Sequence, residues 1–112
     1  MSRAADLRDL VDFEARRDDA NGDPLGPFEP QFTTWSKLIW LRGSESAVQQ
    51  RLEGRQPVAI VVRSTAATRR ITSAWRAVLT HSPDQEFNIT SVSPAKERGF
   101  IDILAVMGGA TG

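Results

Sequence analysis

The chain has 112 residues, 40% of them hydrophobic and 25% charged, with no cysteine; this size and balance predict one domain and exclude a disordered polar chain, a disulfide scaffold and a zinc-thiolate site. Fourteen basic and fourteen acidic residues cancel to a formal charge of zero, which speaks against a dedicated nucleic-acid binder, because neutralising phosphates takes a surplus of Lys and Arg. The longest apolar run, Val58 to Val62, falls far short of the roughly 20 residues of a membrane-spanning helix, and no apolar stretch of the signal-peptide kind follows Met1.

In chain order, Leu10 to Arg16 alternates so that Val11, Phe13 and Ala15 share one face of a strand. Asp18 to Pro27 holds Asn21-Gly22, Gly26 and two prolines, the composition of a turn or exposed loop, since Asn-Gly supplies positive φ and proline cannot donate to a ladder. Phe32 to Leu41, with Thr33, Thr34, Trp35, Ile39 and Trp40, reads as a long and bulged strand. Ser44 to Gly54 is the one predicted helix. Ser44 caps its first turn, Glu45 suits the positive end of the dipole, Gly54 stops it, and Val48 and Leu52 form a short apolar stripe that must pack on a sheet.

The β-branched run Val58 to Ser64 has the near-continuous apolar pattern of a strand buried on both faces. Thr65 to Thr72 reads as a connection, Ala74 to Leu79 as another strand, and His81-Ser82-Pro83-Asp84 as a turn. Phe87 to Val92 and Phe100 to Val106 predict two antiparallel strands joined by the polar break Ser93 to Gly99, and the glycine-rich tail 108–112 lacks side chains to anchor it. Six strands and one helix, without strand-helix alternation, favour a small antiparallel barrel or sandwich over a doubly wound sheet. The expected unit is a single domain over 1–112 with its core in about 7–107.

No catalytic set emerges. His81, Ser82 and Asp84 are too close in sequence to converge on one bond, and no nucleophile elbow or phosphate loop occurs. The chain therefore reads as no enzyme, with no metal and no cofactor. Arg63, Arg69, Arg70 and Arg76 beside Trp35, Trp40 and Trp75 would suit a small barrel that binds single-stranded nucleic acid, the alternative function; tryptophans filling the core and arginines in ion pairs explain the same residues. Charge is also unevenly spread. Residues 1–30 hold four Arg against eight carboxylates, net −4, and residues 31–112 hold ten basic against six acidic, net +4. A solvated acidic segment accounts for this, and complementary ends also suit a head-to-tail ring of copies.

A larger pattern then comes into view. Leu7-Arg8-x-x-Val11-x-Phe13-Glu14-x-Arg16 is followed by a turn with Asp19, Asn21-Gly22 and Gly26, a strand with Trp35, and Arg42-Gly43-Ser44-Glu45 opening the helix. Arg55-Gln56-Pro57 precedes a strand ending at Arg63, then come Thr68-x-Arg70-Ile71-Thr72, Trp75-Arg76, Phe87-Asn88-Ile89 and Arg98-Gly99-Phe100-Ile101. In order and spacing, over residues 7–107, this resembles the head-tail joining proteins of long-tailed bacteriophages, also called head-closure or stopper proteins, in the form found in prophages and gene transfer agents of alphaproteobacteria.

The resemblance implies a small β-barrel with one helix and a long loop. It implies a virion structural protein assembled as a homo-oligomeric ring, a hexamer, at the head-tail junction. Its partners would be the adaptor on the portal side and the tail terminator or tail tube on the other, with DNA passing through the lumen without sequence-specific binding and no membrane involved. Such a protein is made in the bacterial cytoplasm and carries no catalytic residues. Arg42, Glu45, Arg63, Arg70 and Arg76 are the candidates for contacts between subunits or rings, and the acidic Asp18 to Glu29 loop or the flexible ends are expected to become ordered on docking.

Overall fold

The computed structural model of the protein describes residues 7–18, 21, 24–41 and 55–108. Six strands, β1 (Asp9–Asp18), β2 (Pro24–Trp40), β3 (Arg55–Arg63), β4 (Arg76–Leu79), β5 (Ser82–Pro94) and β6 (Phe100–Gly108), form a closed antiparallel barrel in the order β1-β2-β3-β6-β5-β4. Closure leaves each strand two neighbours and removes free edges from the body of the sheet. The predicted helix at Ser44 to Gly54 lies outside the described residues.

Alternation builds the core as expected for β1: Val11 and Phe13 point inward and are fully buried, facing Thr34 and Phe32 of β2 on one side and Leu79 and Ala77 of β4 on the other. Val58, Ile60 and Val62 of β3, Phe87 and Ile89 of β5 and Ile101, Ile103 and Ala105 of β6 complete the filling. The tilted ring pairs Phe13–Phe32 (5.5 Å), Phe32–Trp75 (6.0 Å) and Trp40–Phe87 (5.8 Å) place large aromatics against the ends of this core. Of the three tryptophans, Trp40 and Trp75 pack on the core and Trp35 stands 55% exposed.

Strands β3 and β4 sit on opposite sides of the barrel, so the chain between them has to cross it. It does so with Thr68 and Ile71 buried, around a single 3-10 turn at Thr68–Arg70. That turn is fastened reciprocally. The Thr65 amide donates to Thr68 Oγ1 at 2.7 Å, the Thr68 amide donates to Thr65 Oγ1 at 3.1 Å, and Thr68 Oγ1 donates to the Arg63 carbonyl at 2.6 Å. The arrangement has the logic of a capping box, two otherwise unpaired amides satisfied by two side chains.

Two expectations need correction. Much of the expected Asp18 to Pro27 loop is strand: β2 starts at Pro24, and Arg17 faces Leu25 and Ala15 faces Glu29. Among the described residues, beyond Glu14, β1 and β2 pair only with each other, because β4 begins at Arg76 opposite Glu14 and β3 joins β2 only from Ser36 on. The result is a two-stranded arm with outer edges that meet no further described strand, the place in a sheet where proline is tolerated. Two register shifts, after Phe13 and after Ala15, kink the arm, and Gly26 takes φ +78 there. A side chain would meet nothing within 4 Å at Gly26, so it is the backbone conformation that favours glycine. Pro24, Leu25 and Glu29 are thus paired with Asp18, Arg17 and Ala15 of β1 within the subunit. The second correction concerns His81 to Asp84: the turn is Thr80–His81, and Ser82 already opens β5, since proline near the start of a strand costs no ladder bond.

Candidate functional site

The candidate surfaces are the outside of the barrel and its ends. On the β1–β4–β5 flank, register sets Asp12, Val78 and Glu86 in one row across the three strands, and Glu14, Arg76 and Asn88 in the next. Arg76 is the hub. Its Nε donates to Glu14 Oε1 at 2.6 Å, its Nη1 donates to Glu86 Oε2 at 3.4 Å, and its guanidinium lies 4.4 Å from the centroid of the Phe28 ring on the arm. With the Arg76 and Glu14 side chains only 25% and 14% exposed, the pair is shielded enough to matter for folding. Within the arm, Arg16 Nε donates to the Gly26 carbonyl at 2.7 Å and the Arg16 guanidinium approaches the same Phe28 ring at 5.7 Å. Asp12 accepts from Thr33 Oγ1 and from Thr80 Oγ1, the latter at 2.9 Å.

The barrel end crossed by the β3–β4 connection is basic. Arg63, Arg69, Arg70 and Arg98 are exposed there, and the Ser64 amide donates to the Gly99 carbonyl at 2.8 Å, joining the turn after β3 to the turn before β6. Arg69 Nε donates to Ser64 Oγ at 3.2 Å, and Arg69 and Arg98 line one hollow with Phe100 at its wall. Arg70 lies over Trp75 at 5.8 Å, with its charge left in solvent.

The outer face of β2, β3 and β6 is apolar. Ile39, Ala59 and Leu104 form a row across it, with Ile39 39% and Leu104 43% exposed. Val61, in the next row between Lys37 and Asp102, points outward yet is buried, because the turn carrying Ala95 and Phe100 folds over it.

Of the sequence candidates, Arg63 and Arg70 fall together on the basic end. Arg76 stands on the other flank and makes its ion pairs within its own subunit, and Arg42 and Glu45 lie outside the described residues. The sequence reading missed Arg98 as a neighbour of Arg69, and it missed Glu14 and Glu86 as partners of Arg76. It also missed Ile39 and Leu104 as exposed apolar groups. Among the described residues no group of three or more His, Asp or Glu is placed to hold a metal ion.

Comparison with known proteins settles the family. The sequence pattern described as phage head completion protein matches residues 2–108 of the chain. The chain belongs to the phage head completion protein family. It is a structural component of a virion, in keeping with the fold and the resemblance described above. Two solved structures share the fold of this head completion protein. A chain of the virion of a native gene transfer agent particle superposes with a TM-score of 0.66 at 23% identity, over 98% of this chain and 100% of that one. The solution structure of a protein from Shigella flexneri 2a superposes with a TM-score of 0.65 at 22% identity, again over 98% and 100%. No curated protein matches the head completion protein.

Proposed function

We propose that the chain is a head-closure, or stopper, protein that assembles as a homo-oligomeric ring, a hexamer, at the head-tail junction of a tailed phage or gene transfer agent particle. The ring sits between the portal-bound adaptor and the tail terminator or tail tube and forms part of the channel through which DNA passes. The whole chain acts as one domain. The observation that carries this reading is the family match across residues 2–108, which leaves almost no part of the chain for another activity. A conduit has no use for tight phosphate contacts, which would hold the genome during ejection, and a formal charge of zero suits that role. On this reading Arg63 and Arg70, exposed at the barrel end, remain candidates for contacts between subunits or rings, together with Arg42 and Glu45. The self-contained ion pairs of Arg76 give it a part in shaping the subunit whether or not it also touches a neighbour.

The test is cryo-electron microscopy of particles from the source, with the head-tail junction reconstructed. A ring of this chain between the portal assembly and the tail is the expected result. Particles in which the junction is complete without the chain would overturn the reading.

A further inference from the structure

The charges of the described surface are sorted by region. In the two turns joined at Ser64 and Gly99, Arg63, Arg69, Arg70, Lys96 and Arg98 are exposed, and Glu97 is the only carboxylate: five cations against one anion, net +4. None of those five cations takes part in an ion pair among the described residues. On the β1–β4–β5 flank the balance is reversed. Strands β1, β4 and β5 carry Asp9, Asp12, Glu14, Asp18, Asp84 and Glu86 against Arg16, Arg17 and Arg76, six anions against three cations, net −3. Even after Arg76 has bound Glu14 and Glu86, the flank keeps a surplus of negative charge, with Asp84 exposed at its rim.

From this we infer that the basic end of one copy seats against the acidic β1–β4–β5 flank of a second copy. The two patches lie on different elements of the same chain, so the contact joins unlike surfaces and propagates from copy to copy, as a closed ring requires. The inference deepens the ring reading above and rests on it for the closure, while the pairing itself rests on the sorted charges. Arginine suits such a contact because its planar donors bind carboxylates in pairs and lose little hydration when they do so. Duplex DNA is the other polyanion that could meet these arginines. The second copy is favoured because the cationic excess at one site has a matching anionic excess at the other, and a DNA-facing role for the end would leave the acidic flank unexplained.

The experiment uses the purified full-length protein, with sedimentation followed over a range of concentrations at low and high salt. Wild-type protein is expected to self-associate, and high salt is expected to weaken that association about tenfold or more. The double variants R69E/R70E and D84K/E86K are each expected to lose about tenfold or more in association while keeping a cooperative melt. Their equimolar mixture should recover it, because each reversed patch then meets a reversed partner. D84K alone, which leaves the Arg76 network untouched, is read in place of the second variant if that one does not fold.

Variants that associate as wild type does, or a mixture that recovers nothing, would overturn the contact. A wild-type protein that stays monomeric while binding duplex DNA through Arg69 and Arg70 would overturn it too, and would give the basic end to the polyanion. The two readings fail separately: a ring seen in particles alongside variants with unchanged association removes this contact and keeps the ring. Particles without a ring of this chain remove the ring, and the solution mixture then judges the pairing on its own.

Discussion

On the β1–β4–β5 flank, Asp12, Glu14, Arg76 and Glu86 are each held by a partner in the same subunit, through the Arg76 ion pairs and the two threonine hydroxyls on Asp12. On the β2–β3–β6 side and the basic end beside it, Trp35, Ile39 and Leu104 are exposed, and Arg63 and Arg98 have no ion pair among the described residues. The same barrel thus carries one wall where most of the charged side chains already have partners within the subunit and another whose side chains are left over after folding. Substitutions at the partnered residues of the first should be felt by the isolated subunit, whatever they also do to contacts between copies, and substitutions in the second should be felt chiefly where the subunit meets something else.

The largest effect belongs to the lining behind the first wall. Phe13 is fully buried between β2 and β4 and touches the Phe32 ring; Phe13→Ala is expected to cost about 3–5 kcal/mol in urea unfolding, by lost burial and the cavity left behind. Arg76→Ala comes next. It strands the half-buried Glu14 carboxylate and releases Phe28 from the barrel wall, at an expected cost of about 2 kcal/mol, and amide exchange should speed up in the arm strands more than in β3 or β6. Equal acceleration in all strands would show that Arg76 does not anchor the arm in particular. Thr68→Val removes the hydroxyl that serves the Thr65 amide and the Arg63 carbonyl where the chain crosses the barrel end, with an expected loss of about 1–2 kcal/mol. A Thr68→Ser variant keeps the hydroxyl and should lose less, so the difference between the two isolates the hydrogen bonds from the packing.

Much of the fold is legible in the residues themselves, and what is not legible has particular causes. Val11 and Phe13 alternate with polar neighbours and mark β1, and the β-branched run from Val58 to Val62 marks the central strand, because both patterns report burial directly. The start of β2 hides behind Gly26 and Pro27, which read as loop wherever a strand is assumed to have two neighbours. They fit a strand in an arm whose outer edge has none among the described residues. Site residues fare worse for a geometric reason. Arg76 can be singled out as a charged group, but its partner Glu14 is 62 positions away, and only the closed strand order brings β1 beside β4. Arg98 joins Arg69 only through the contact of Ser64 with Gly99. Leu104 sits in the run Phe100 to Val106, where the outward-facing residue is as apolar as its inward-facing neighbours Ile103 and Ala105, so no alternation marks it as exposed.

Leu104 therefore provides the finest test of the difference between the two walls. It lies opposite Ala59 with Ile39 one strand further on, and is itself 43% exposed. Threonine at this position introduces the β-branched shape that strands favour and adds a hydroxyl that solvent can satisfy, so Leu104→Thr is expected to change the unfolding free energy by no more than about 0.5 kcal/mol. Ile103→Thr, one residue away on the inner face and fully buried, should cost several times that, because its hydroxyl would have to find a partner inside the core. A loss at Leu104 as large as the loss at Ile103 would mean that another part of the same subunit packs on this face. A small loss at Leu104, combined with a measurable drop in incorporation into particles, would place the surplus apolar surface in contacts made after folding, which is the role the comparison of the two walls assigns to it.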